Sequence, residues 1–180
     1  ITMLEHGGVV EDVLFNPALP GAALGLRPGS LVIDMSSILP EQAQSHGPKL
    51  SAQGVAYLDA PVSGGTVGAE AGTLAIMAGG KEADFERARP VLEALGRPVH
   101  VGPTGSGQLT KLANQMIVGI TIGAVAEALL LAQKGGADPA KVRQALRGGF
   151  AESRILEVHG QRMVDEDFAK RGSLAIQLKD

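Results

Sequence analysis

The sequence predicts an α/β fold: a Rossmann-like, doubly wound parallel sheet followed by the start of an all-helical domain. Three observations predict it. Apolar runs of strand length alternate with amphipathic runs of helix length over roughly the first hundred residues, the pattern of βαβ units. At Gly102-Pro103-Thr104-Gly105-Ser106-Gly107 the texture changes, and a helical pattern of unusual length follows with no further strand signal. Finally, 180 residues that are 44% hydrophobic and 19% charged can bury a substantial core.

The elements follow in order. Residues 1–4, Ile-Thr-Met-Leu, read as an internal strand, since no initiator Met, basic n-region or cleavage site precedes them. Further strands are expected at 30–34, 55–59, 73–78 and 98–101, where short apolar runs are bounded by turn residues. Helices are expected between them at 8–15, 40–53 and 81–95, with Ser37 and Glu41 near a start and Gly54 and Gly96 at C-terminal stops. The stretch 16–29, rich in Pro, Gly and Ala, reads as a loop. Beyond the glycine cluster a long helix is expected at 108–134. A second follows at 139–147, with Asp138 as N-cap and Pro139 at the first position, and a third at 152–164. The division is therefore 1–105 for an α/β domain and 106–180 for a partial helical domain, which the resemblance drawn below implies to be a partial dinucleotide-binding domain and a partial substrate and dimerisation domain.

Charge and residue usage remove several classes of function. Sixteen basic against nineteen acidic residues, scattered and summing to −3, leave no footprint for nucleic acid. The absence of cysteine excludes disulfides, thiolate catalysis and Cys-ligated metal, and it suits a cytoplasmic setting. His6, His46, His100 and His159 are too dispersed for a local metal motif. The stretch 112–132 is long and apolar, but Asn114, Gln115 and Glu127 within it are costly in lipid, so it reads as a core helix with no membrane partner. Its apolar character also points to burial against a partner subunit, hence a homo-oligomer.

Two segments carry candidate chemistry. Asp59-Ala60-Pro61-Val62-Ser63-Gly64-Gly65 directly follows an apolar strand, where α/β sheets gather ligands. The paired glycines and the Ser63 hydroxyl suit anion binding, yet a strand-to-helix turn with a Ser cap would read the same way. On the long helix, Lys111, Asn114 and Gln115 stand at i, i+3 and i+4 on one face. A lysine near a helix start is disfavoured by the macrodipole, so it is either solvated or retained for a purpose. Two tempting motifs fail. Gly105-Ser106-Gly107 has Thr110 where G-x-G-x-x-G needs its last glycine, and Gly79-Gly80-Lys81 has Ala75 and Glu82 at the defining positions of a Walker loop.

Taken in order, these segments resemble the β-hydroxyacid dehydrogenase family, which includes 3-hydroxyisobutyrate dehydrogenases and tartronate semialdehyde reductases and shares a 6-phosphogluconate dehydrogenase-like architecture. Thr2-Met3-Leu4 and Ile33-Asp34-Met35-Ser36-Ser37 are similar to the family's strand-end cofactor contacts, and Asp59 to Gly65 to its substrate signature. Gly105-Ser106-Gly107-Gln108-Leu109-Thr110-Lys111-Leu112-Ala113-Asn114-Gln115 resembles its catalytic segment, and Lys179-Asp180 its later cofactor-contacting pair. The family's first strand and glycine-rich pyrophosphate loop are expected before Ile1, and its last helices after Asp180.

The resemblance implies a function. A hydride passes between NAD or NADP and a small 3-hydroxy acid or its semialdehyde, with Lys111 as general acid/base. It implies that Ser63, Gly64 and Gly65 hold the substrate carboxylate, that Asn114 or Gln115 orients the substrate, and that Leu4, Ser37 and Lys179 meet the cofactor. No metal is implied. Several relatives carry Asn four residues after the lysine, where this chain has Gln115 beside Asn114, so which amide touches substrate stays open. The alternatives are an imine reductase or a non-catalytic binding module on the same scaffold. Lys111 speaks against the first, and Ser63 together with Lys111 against the second.

Overall fold

The computed structural model describes residues 1–18 and 21–169. They form two compact units, Ile1–Ala113 and one from Asn114 onward. The first unit is built on a sheet with strands β1 (Leu31–Asp34), β2 (Ala56–Asp59), β3 (Val62–Ser63), β4 (Leu74–Gly79) and β5 (Gly96–Gly102). Helices α1 (Gly7–Phe15), α2 (Pro40–Ser51), α3 (Gly65–Glu70) and α4 (Glu82–Glu93) lie between them in sequence. Strand order is β1-β2-β4-β3, with β5 pairing β4.

Parallel pairing dominates, as the alternating pattern requires: β1 with β2 from Leu31↔Ala56 to Asp34↔Asp59, and β4 with β5 from Leu74↔Gly96. One feature was not legible in the sequence. Strand β4 meets β2 antiparallel through Asp59↔Gly79, because Val62 and Ser63 continue in the direction of β2 as β3, pairing antiparallel with Ile76 and Ala75, and the chain reverses only after Ser63. A parallel return needs a long crossover, and the six-residue α3 is too short to make one.

Alternation along the strands sends neighbouring residues to opposite faces. Ile33 and Leu58 join Ile76, Phe85 and Leu92 in a core under α4, while Val32 and Tyr57 join Val10, Leu14, Ala43 and Leu50 in a core under α1 and α2. The sheet is thus covered on both faces, as a doubly wound fold requires.

The expected helices appear with ends shifted by one or two residues. Leu39, not Ser37, precedes α2. The loop at 16–29 contains a 3₁₀ turn, Ala22–Gly25. Gly96 opens β5 instead of ending a helix, since a Cβ there would collide with the Leu74 backbone of the paired strand. The expected first strand contracts to a single parallel bridge, Thr2↔Asp34, because the next main-chain donor, Leu4 N–H, turns to the Ser36 hydroxyl (2.9 Å).

Helix α5 runs unbroken over Ser106–Lys134, 29 residues, so it begins in the first unit and continues in the second. The second unit adds α6 (Pro139–Leu146), whose N-cap Asp138 accepts from the Ala140 and Lys141 N–H groups with Pro139 at the first position, and α7 (Arg154–Val164). Val125, Leu129 and Leu156 form its small core. Much of α5 is uncovered: Met116, Ile117 and Ile120 are each about two-thirds exposed, and Leu131 more so. A helix expected to be buried on composition is, within this chain, an apolar surface. By length and composition alone it would also suffice to cross a membrane.

Candidate active site

Two of the candidate cofactor contacts, Leu4 and Ser37, lie just beyond the Thr2 bridge and the carboxyl end of β1. Thr2 bridges Asp34 in parallel register, and its hydroxyl donates to Asp34 Oδ1 (2.9 Å). Asp34, fully buried, also accepts from the Ser36 N–H (3.0 Å) and from the Tyr57 hydroxyl (3.3 Å). Burial first, then the neighbouring Asp34 and Asp59 charges, push the Tyr57 phenol far above its ordinary range, so it stays a donor. The outcome is a fixed loop after β1 with Leu4 on one side, bonded to Ser36, and Ser37 next in sequence. Strand ends of this kind are where a dinucleotide is read in an α/β sheet, so Leu4 and Ser37 fit such a ligand. Lys179 lies outside the described residues.

The substrate-signature segment and the start of α5 are joined by one carboxylate. Asp59, last residue of β2 and fully buried, accepts from Gly105 N–H at Oδ1 (2.8 Å) and from Gln108 N–H at Oδ2 (2.9 Å). Burial pushes its carboxyl above the usual range, while the N–H groups of Gly105, Gln108 and Gly107 pull it back. These donors are the otherwise unsatisfied groups of a helix start, and an anion there is favoured by the helix dipole. The glycines allow the approach. A Cβ on Gly79 would lie 2.6 Å from Asp59 Oδ1 and 2.7 Å from Gly107 N, and one on Gly107 would collide with Met77 and Asp59 carbonyl oxygens. Gly105 has φ +93°. Gly107 therefore serves helix-to-strand packing, and Gly105 the turn before α5 and its close approach to Gln44 and Pro40 of α2.

Ser63 ends β3 opposite Ala75, four residues after Asp59, and is half-buried. Gly64 (φ +144°) and Gly65 (φ +64°) follow it, both exposed. At Gly64 a side chain would also crowd Leu74 (3.0 Å), whereas Gly65 faces open space. Lys111, half-buried, stands one helical turn beyond Gln108. Asn114 and Gln115 follow at the expected spacing, half-buried, with Asn114 Nδ2 donating to Gln115 Oε1 (3.0 Å). A separate depression of about 670 Å³, lined by Gln44, Tyr57, Lys81 and Thr104 among others, contains none of the candidate residues.

Sequence reasoning overlooked two side chains. Asp59 was legible only as the first letter of a motif; an acidic residue closing an apolar strand is the signal that it is buried for a purpose. Gln108, 1% exposed, donates from Nε2 to Ser36 O (2.8 Å) and accepts from Ile38 N–H at Oε1 (3.1 Å). Its spacing of three from Lys111 was the available clue.

Residues 1–105 match the family described as the NAD binding domain of 6-phosphogluconate dehydrogenase, and residues 105–180 match the NAD-binding region of NADP-dependent 3-hydroxyisobutyrate dehydrogenase. The chain is 51% identical over 172 residues to the 2-hydroxy-3-oxopropionate reductase of Escherichia coli, covering 95% of this chain and 58% of that protein. It is 43% identical to the 3-hydroxyisobutyrate dehydrogenase of Pseudomonas aeruginosa, covering 82% of this chain and 49% of that one. The crystal structure of a 3-hydroxyisobutyrate dehydrogenase from Salmonella typhimurium superposes with a TM-score of 0.84 at 34% identity, over 98% of this chain and 61% of that one. The chain thus spans roughly half to three-fifths of the length of these relatives.

Proposed function

This chain belongs to the β-hydroxyacid dehydrogenase family, and from that premise we propose that it carries the substrate-binding and proton-transfer residues of an NAD(P)-dependent oxidoreductase acting on a small 3-hydroxy acid or its semialdehyde. The supporting observation is the Asp59 carboxylate, which ties the segment leading to Ser63 to the first turn of the helix bearing Lys111.

Bound NAD or NADP supplies the hydride acceptor for the carbinol carbon. The Lys111 amine accepts the hydroxyl proton during oxidation and returns it during reduction. The Ser63 hydroxyl and the Gly64 and Gly65 N–H groups hold the substrate carboxylate, and Asn114 or Gln115 orients the reacting end. Leu4, Ser37 and Lys179 contact the cofactor. In this reading residues 1–105 form the cofactor-binding part and 106–180 the helical part, the protein works in the cytoplasm, and the apolar surface of α5 is covered in a homo-oligomer. The test is an assay of the full-length protein on 3-hydroxyisobutyrate, 2-hydroxy-3-oxopropionate and related compounds with each cofactor. Turnover of one of them supports the reading, and inertness toward all of them with both cofactors refutes it.

A further inference from the structure

We propose that Gln108 is a positioning residue, whose buried carboxamide fixes the loop carrying Ser37 onto the first turn of the helix that carries Lys111. The inference rests on the dehydrogenase reading above and adds to it the side chain that holds the cofactor-side loop in register with the proton-transfer group.

The carboxamide engages both main-chain groups that flank Ser37. Nε2 donates to Ser36 O (2.8 Å) and Oε1 accepts from Ile38 N–H (3.1 Å), much as a neighbouring strand would pair with this loop. The backbone N–H of the same residue donates to Asp59 Oδ2 (2.9 Å), which anchors that turn of α5 to β2. Ser36 is fixed in turn, accepting from Leu4 N–H at its hydroxyl (2.9 Å) and donating from its N–H to Asp34 Oδ1 (3.0 Å). Gln108 therefore joins the loop after β1 through its side chain and the end of β2 through its backbone to the start of α5, and Ser36 extends the link to Leu4. Ser36 and Gln108 are about 1% exposed, so water offers no substitute partners. Lys111 lies three residues along, on the same helix face. The carboxamide presents the donor and the acceptor this geometry needs at every pH, whereas a carboxyl group does so only when protonated. Leucine would leave a buried carbonyl and N–H unpaired, and an ionised glutamate would aim a carboxylate oxygen at the Ser36 carbonyl.

The test uses the full-length protein and the variants Gln108→Leu and Gln108→Glu. Each is assayed per folded molecule on 3-hydroxyisobutyrate and 2-hydroxy-3-oxopropionate across about pH 5 to 9, together with titration of NAD and NADP binding. Gln108→Leu is expected to lose about tenfold to a hundredfold in kcat and to bind the cofactor more weakly, with a ratio to the parent that is flat in pH. Gln108→Glu is expected to match it at high pH and recover toward the parent as pH falls. Once protonated, the introduced carboxyl donates its O–H to Ser36 O and accepts from Ile38 N–H, and burial raises the pH at which that happens. A residue that only supports folding would change the melting temperature and leave both kcat per folded molecule and this pH-dependent ratio alone. Variants with parental kcat and cofactor affinity, or a Gln108→Glu ratio that is flat in pH, would overturn the inference and leave the dehydrogenase reading standing. A parent inert toward both compounds with both cofactors would remove the two together.

Discussion

Ser63 illustrates what a single residue contributes. It is half-buried at the end of β3, followed by two glycines with positive φ, so its hydroxyl stands at a turn where main-chain donors are also available. A hydrogen bond to a charged carboxylate contributes roughly 1.5 to 3 kcal/mol, so Ser63→Ala in the full-length protein should lower kcat/KM on a carboxylate substrate by about one to two decades while the fold survives. Steady-state kinetics matching the parent would mean that Ser63 only shapes the turn. Residues of this type were legible in the sequence because their chemistry is local: a serine beside paired glycines, or a lysine with two amides at helical spacing. Asp59 and Gln108 were not legible, because their partners lie 46 to 72 residues away in sequence and only the folded chain brings them together.

At the scale of elements, the start of α5 depends on close approach to β2 and β4. Gly107→Ala would drive a methyl group into the Met77 and Asp59 carbonyl oxygens, and Asp59 Oδ2 is only 2.8 Å from the same point. Overpacking of this kind costs about 1 to 3 kcal/mol or more, to be read from denaturant unfolding of the variant against the parent. An unchanged midpoint would mean that the helix start yields without cost. The pairing of α1 with α2 supplies a pH-dependent counterpart. Glu11 on α1 accepts from buried His46 (2.6 Å) and from Lys49, both on α2. Burial raises the Glu11 carboxyl, but the bonds from Lys49 and His46 outweigh it and leave the group below its ordinary value of 4.5. Because the folded value is depressed, this stabilisation is complete above the unfolded range and disappears as pH falls through the folded value. Glu11 is 40% exposed, so its contribution is held to about 1 kcal/mol at most. Melting temperatures of the parent and Glu11→Gln should differ by a few degrees near about pH 7 and converge toward about pH 3; a constant offset would exclude the ion pair as its cause.

For the whole molecule, the α/β class was legible because two periodicities, of strands and of helices, alternate along the chain. The reversal of β4 was not, because it hinges on a two-residue strand without a pattern of its own. The long helix was legible as a helix, but its apolar residues say only that something covers them, and the chain itself leaves Met116, Ile117, Ile120 and Leu131 largely exposed. If a second copy covers them, sedimentation of the full-length protein should show a stable oligomer, and Ile120→Glu should shift it toward monomer; a parent that is monomeric at high concentration would contradict that arrangement. The central claim, proton transfer by Lys111, is tested most directly by the pH dependence of kcat for hydroxy-acid oxidation in the full-length parent, Lys111→Ala and Lys111→Arg. The account predicts a rate that rises with pH in the parent, a loss of about 10² to 10⁴ in kcat for both variants, and no such alkaline limb in either, since a guanidinium does not release its proton in this range. Near-parental turnover by Lys111→Arg would show that only positive charge is needed at this position, and would contradict the claim.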